Sequence, residues 1–197
     1  MAFIMKKKDE QKYERILNVA GDLIIKDSVG AVSTTKIAKH VGISQSSIYV
    51  YFKNREALLL TLYIRELKRL YANDGGENLN RLPFEDAMAK YLEHLFEYAV
   101  KYPKSMTIIQ KLKEDYVFDA DAGKQINAIV HQSPVQQLLF QGIADQTLRQ
   151  VDISLLRNII FSTIKLHTDN LRQGVYTQTD VPFERIQRML MQAVLNN

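Results

Sequence analysis

Between Thr34 and Phe52 the sequence TTKIAKHVGISQSSIYVYF sets Thr, Lys, Gln, Ser and Tyr among a sparse series of apolar residues. The chemistry available to such groups is hydrogen bonding to a polar polymer. A Gln at Gln45 can make paired hydrogen bonds to adenine, a Lys at Lys36 can reach guanine acceptors, and Tyr49 and Tyr51 can contact thymine methyls or phosphates. Catalytic chemistry has no comparable signal. His40, His94, His131 and His167 are scattered, and no paired-histidine spacing, GxSxG turn or phosphate loop occurs. The chain has no cysteine, which removes disulfides, thiolate metal sites and cysteine nucleophiles. Asp115, Asp119 and Asp121 lack the spacing of a calcium loop and read as a solvated acidic segment.

The elements that must present those polar groups are two short helices. Thr34 is placed to cap the first, and Ile37, Ala38 and Val41 then share one face. Gly42 supplies the unhindered backbone on which helices often stop, Ile43 plugs the joint, and Ser44 caps the second helix. That helix runs from Gln45 to about Tyr51 and buries Ile48 and Phe52, leaving Gln45, Ser46, Ser47, Tyr49 and Tyr51 open to a partner. A turn of this kind sets two helices steeply across each other.

The pattern GxxxxTTxxIAxxVGIS from Gly30, continued by SSIYVYFKNREALL from Ser46, resembles the TetR family of one-component transcriptional regulators. The resemblance covers roughly residues 12 to 60, including a preceding helix with Arg15, Ile16, Leu17, Ala20 and Leu23 at helical spacing. It implies that Lys36, Gln45, Ser46, Tyr49 and Tyr51 approach bases, and that Thr34, Thr35, Ser47 and Lys53 approach phosphates. The chain departs from the family pattern at Ile24 and Val29, where aromatics are common, and both read as core substitutions.

Charge is distributed in keeping with such a partner. Residues 1–58 hold ten Lys or Arg against six Asp or Glu, while the remainder holds sixteen of each, so the whole net charge of +4 lies in the N-terminal part. Cationic contacts to phosphates release counterions and make affinity salt-dependent. Lys6, Lys7 and Lys8 extend this excess as a solvated run that adds nonspecific attraction. A 46% hydrophobic content over 197 residues permits a substantial core. No apolar run is long enough for a membrane span and no secretory pattern opens the chain, so a cytoplasmic protein without a membrane role is expected.

Hydrophobic periodicity predicts an all-α fold, with an N-terminal three-helix helix-turn-helix DNA-binding domain over 1–54 and a larger helical effector-binding and dimerisation domain over 55–197. Helices are predicted at 9–27, 35–41, 45–51, 55–72, 84 to just before Pro103, from there toward Glu114, and at 152–173 and 183–195. NDGGENLNRLP over 73–83 and EDYVFDADAGK over 114–124 read as loops, and 125–147 as one kinked helix or two shorter ones about Ser133 and Pro134.

Two further surfaces follow from the periodicity. Tyr91, His94, Leu95 and Tyr98 lie along one helix side, with Met106, Phe118, Phe140 and Phe161 as facing candidates for the wall of an apolar ligand cavity. A stripe of this kind is more often ordinary core. The penultimate helix carries two apolar rows and the last a broad apolar face, which need more than one neighbour. The family resemblance implies that these helices pair as a four-helix bundle, with Leu155, Ile159, Leu166, Ile186, Met189, Leu190 and Ala193 at a homodimer interface.

The expected protein is a homodimeric repressor that places two recognition helices about 34 to 36 Å apart, or a multiple, on a palindromic double-stranded DNA operator and is released by a small-molecule effector. An activator, or a regulator controlled by a protein partner, has the same sequence features. A helical enzyme or binding protein with an accessory helix-turn-helix is a further alternative, and the enzyme would need a catalytic group that the sequence does not offer. No cofactor or metal is expected.

Overall fold

The computed structural model describes residues 2–72, 79, 81–116 and 118–196, with side chains from residue 9 onward. Its regular elements in those residues are ten helices: α1 (Ala2–Lys26), α2 (Thr34–Val41), α3 (Gln45–Tyr49), α4 (Arg55–Tyr71), α5 (Phe84–Lys101), α6 (Pro103–Asp115), α7 (Ala120–His131), α8 (Pro134–Ala144), α9 (Ile153–Gln173) and α10 (Phe183–Val194). None among the described residues is long and apolar enough to cross a membrane. The fold is all-α with an N-terminal helix-turn-helix, as the periodicity predicts.

The chain forms two compact units. The first comprises Met1–Glu66 and Thr107–Lys124, the second Leu67–Met106 and Gln125–Asn197. In the first, Ile16, Leu17, Ala20, Leu23 and Ile24 of α1 are buried with Ile37, Ala38 and Val41 of α2, Ile48 of α3 and Leu58, Leu59 and Leu62 of α4. Residues 107–115 of α6 complete this core through Ile108, Ile109 and Leu112. A Cβ at Gly21 would lie 2.7 Å from Ile108 Cδ1, so the missing side chain lets α6 come close to α1. Lys111 donates from Nζ to the carbonyls of Ile24 and Ile25 at 2.9 and 3.1 Å, covering carbonyls in the last turn of α1 with a cation. These contacts explain why the compact units differ from a division at residue 54: α6 returns to the first helix over a sequence distance that local periodicity does not register.

In the second unit α5 packs against α8, α9 and α10. Met88, Leu92 and Leu95 are buried in its core, as are Leu139, Leu156, Ile160, Ile164, Leu190 and Val194. The end of α10 is tied down by an antiparallel bridge between Leu148 and Leu195 and by the Arg149 N–H donating to Val194 O at 2.9 Å.

Two predicted boundaries change, and one open alternative is decided. The first helix starts at Ala2, well before residue 9. The acidic stretch is helical from Ala120, where Asp119 Oδ1 accepts the Ala122 N–H at 2.8 Å and caps α7. Most of that helix's N-terminal half is exposed, so it has no apolar stripe to read. The kinked region is two helices, because Ser133 caps α8 by accepting the Gln136 N–H and Pro134 fills its first turn. The Lys6–Lys8 side chains and most of the 73–83 loop lie outside the described residues.

Candidate nucleic-acid interface

The presenting geometry is built from caps. Ser33, in extended conformation, accepts the Lys36 N–H and opens α2. This corrects the expectation that Thr34 is the cap. Thr34 is the first helical residue, its side chain is buried, and its Oγ1 accepts from Gln45 Nε2 at 2.9 Å. Gly42 stops α2 at φ 75°, a left-handed conformation that glycine adopts without steric cost, and its N–H donates to Ala38 O. Ser44 then accepts the Ser47 N–H and opens α3, while its hydroxyl shares hydrogen bonds of 2.8 Å with those of Ser46 and Ser47.

A single apolar anchor holds α3 inward, the fully buried Ile48. Phe52 is buried just beyond it and stacks on Tyr13 of α1, with ring centroids 5.1 Å apart. The rest of α3 faces out. Gln45 and Ser46 are exposed, Ser47 half-buried, and Tyr49 is 51% exposed, with its hydroxyl 3.5 Å from both Thr34 Oγ1 and Gln45 Nε2. The Tyr49 ring is therefore presented to solvent and not packed between helices. Thr35 and Lys53 are also exposed.

Two further predicted base-reading groups are held by carboxylates within the unit. Lys36 Nζ donates to Asp27 Oδ2 at 2.9 Å, a bond that holds the Asp27 carboxyl below the usual range. The Tyr51 hydroxyl donates to Asp9 Oδ1 at 2.7 Å, which raises the tyrosine's pKa, and its ring packs edge-on against Tyr13 at 6.3 Å. The first unit thus brings all nine predicted DNA-facing residues together, with Thr34 and Tyr51 turned toward neighbours within it.

Sequence reasoning missed Arg55. Its Nε and Nη2 donate to the carbonyls of Val32 and Val29 at 2.7 and 2.6 Å, and its guanidinium lies 5.8 Å from the centre of the Tyr116 ring. One side chain therefore braces the turn that leads into α2. The available signal was an arginine at the first turn of α4, directly after the Asn54 cap that accepts the Ala57 N–H.

The predicted ligand residues fare differently. Tyr91, Leu95, Tyr98 and Met106 are buried in the core of the second unit, where Tyr98 and Ser105 share a 2.7 Å hydrogen bond. His94 lies 3.7 Å from Glu97, Phe161 is half-buried, and Phe140 is exposed and stacked on His131. Phe118 belongs to the first unit and stacks on Tyr63. None of the eight lines the pocket of about 480 Å³ that opens in the second unit. Its walls are Phe96, Ala99, Val100, Pro103, Thr168, Leu171, Arg172 and Gln178. The pocket uses the neighbouring face of the helix that was singled out.

Of the predicted dimer residues, Leu155, Leu166, Met189 and Ala193 are exposed, with Leu166 at 61% and Met189 at 58%. Ile159 and Ile186 are half-buried. Leu190 is corrected: at 3% exposure it packs into its own chain's core and is not on an outward face.

Comparisons with known proteins agree with this geometry. The family of bacterial regulatory proteins described as the tetR family matches residues 16–62, which span α1 from Ile16 through Leu62 of α4. A proposed transcription regulator from Lactobacillus plantarum is 32% identical, with a TM-score of 0.78 over 94% of this chain and 99% of that one. A TetR family transcription regulator from Marinobacter aquaeolei VT8 superposes with a TM-score of 0.81 at 19% identity, covering 98% and 100% of the two chains. The fatty acid metabolism regulator protein of Bacillus subtilis strain 168 is 24% identical over 161 residues, 80% of this chain and 82% of the relative.

Proposed function

Since this chain belongs to the TetR family of DNA-binding transcription regulators, we propose that it acts in the cytoplasm as a homodimeric repressor released from a palindromic operator by a small molecule. The observation that carries the reading is the outward face of α3, polar along its length and held by the single inward anchor Ile48. Gln45, Ser46, Tyr49 and Lys36 read base edges, and Thr35, Ser47 and Lys53 position the helix on phosphates. Thr34 supports Gln45 from behind and Tyr51 supports the end of the turn from α1.

Two copies join through the apolar residues left exposed on α9 and α10. A pair of recognition helices then meets successive major grooves, which requires an approximately palindromic site. The effector enters the second unit and favours a conformation with mismatched helix spacing, which requires tighter binding to that state than to the DNA-bound one. Helix α4 runs without a break from Arg55 in the first unit to Tyr71 in the second and is the coupling element.

Fluorescence anisotropy with the chain's own upstream DNA and a scrambled control, across salt concentrations, tests this. The expected result is a marked preference for one site together with a steep salt dependence. Equal binding to both sequences would leave a nonspecific DNA binder, and no binding at low salt would overturn the reading.

A further inference from the structure

The pocket of the second unit has a composition that narrows what it can hold. Phe96, Ala99 and Val100 come from one face of α5 at i, i+3 and i+4, Pro103 opens α6, and Thr168, Leu171 and Arg172 repeat the same spacing on α9. Gln178 closes the set from the segment after α9. Five of these eight are apolar, and their about 480 Å³ falls within the range of small-molecule sites. The wall formed by Phe96 is braced by other rings. Phe96 stacks face to face on Phe183 at 4.2 Å and lies 5.7 Å from the His167 ring, which in turn stacks on Tyr176 at 5.6 Å. These ring contacts, made within the chain itself, hold Phe96 in place.

Among the lining residues the only charge is the guanidinium of Arg172. It donates from Nη2 to Asp169 Oδ1 at 2.7 Å, while Asp169 Oδ2 accepts from Lys165 Nζ at 2.6 Å. One carboxylate is thus shared by two cations, and this cluster is left one positive charge in excess. An arginine has five N–H donors in a planar fork suited to a carboxylate, and in the described residues only Nη2 of Arg172 is engaged. The Arg172 side chain is half-exposed at the pocket wall, so pairing there needs no deep desolvation of the charge.

We propose that this pocket binds an amphipathic carboxylate, its anionic head paired with Arg172 and its apolar body lying on Phe96, Ala99, Val100, Pro103 and Leu171. Gln178 adds a neutral amide donor to the lining, while the Thr168 hydroxyl donates to the Lys165 carbonyl at 2.9 Å and presents no proton to the head. This rests on the effector-released reading above and names the ligand class for it.

Calorimetric titration of the full chain with decanoate, decanol and decylamine tests the assignment. Decanoate binds best, and Arg172→Gln weakens it about tenfold or more, the loss expected for a charge-assisted hydrogen bond, while decanol is unaffected. Val100→Trp, at a largely exposed lining position, fills the pocket and weakens both without touching the core. Circular dichroism confirms that both variants fold. Decanoate binding that is unchanged in both variants, decylamine binding as tightly as decanoate, or no decanoate binding below about 1 mM would each overturn the proposal. Anisotropy on the operator in the same samples separates the two readings: Arg172-dependent decanoate binding with unchanged operator affinity keeps the pocket assignment and removes the effector role.

Discussion

Gln45 donates its side-chain amide to the Thr34 hydroxyl at 2.9 Å, joining the first residue of α3 to the first residue of α2. The amide proposed to face a base is therefore oriented within the chain itself, and one of its hydrogen-bonding positions is used internally. Thr34→Val removes the hydroxyl at nearly constant shape. We expect a stability loss of about 1 kcal/mol and weaker discrimination at the base pair facing Gln45. Operator variants compared by anisotropy check this; unchanged discrimination would mean that the bond does not orient Gln45.

Arg55 braces the turn before α2 through two backbone carbonyls. Arg55→Lys keeps the charge but loses the planar fork that reaches both at once. The expected cost is about 1 to 3 kcal/mol, with specific DNA binding weakened more than nonspecific binding. Urea unfolding and salt-dependent anisotropy measure the two effects, and a variant with native stability would show that the turn holds itself.

Leu166 and Met189 are apolar and exposed, so charging them should leave the chain folded. Leu166→Glu combined with Met189→Glu is expected to shift sedimentation from dimer to monomer and to lower operator affinity steeply, since two half-sites would no longer be bound together. A double variant that still sediments as a dimer would place the interface elsewhere.

His167 is 2% exposed, and burial lowers its pKa below the ordinary 6.5. The unfolded chain then takes up a proton from about pH 6.5 downward while the folded chain resists it. Stability is full above that value and falls with acidification until the pH passes below the folded pKa. His167→Phe, which keeps a ring beside Phe96 and Tyr176, should flatten this part of the profile of melting temperature against pH. A wild-type profile that is level between pH 5 and 7 would contradict the assignment.

Gly142 faces Phe84 and Leu148 with no room for a side chain, since an added Cβ would meet the Phe84 ring and come 2.7 Å from Leu148 Cγ. Gly142→Ala gains helix propensity but overpacks this contact, and the expected balance is a loss of about 1 to 3 kcal/mol in thermal unfolding. A variant more stable than the wild type would show that the Phe84 ring yields easily.

Local signals made the helix-turn-helix legible in the sequence. Gly42 at the end of α2, Ser44 at the start of α3 and the apolar spacing of Ile37, Ala38, Val41 and Ile48 all act within a few residues of themselves, so their order along the chain already states their role. The all-α architecture followed from the same period, and the polar outer face of α3 from what the period left over. Tertiary structure decided the rest. Whether Thr34 or Ser33 caps α2, whether Leu190 turns inward, and whether Leu95 and Tyr98 or Phe96 and Ala99 line a pocket each depend on which neighbour a face meets. Adjacent helix positions differ by about 100° around the axis, so a sequence with a broad apolar face does not say which part of that arc is covered. Arg55 reaching Val29 and Val32, and Lys111 reaching Ile24 and Ile25, join residues far apart in the chain, and only packing brings those carbonyls within reach of a cation.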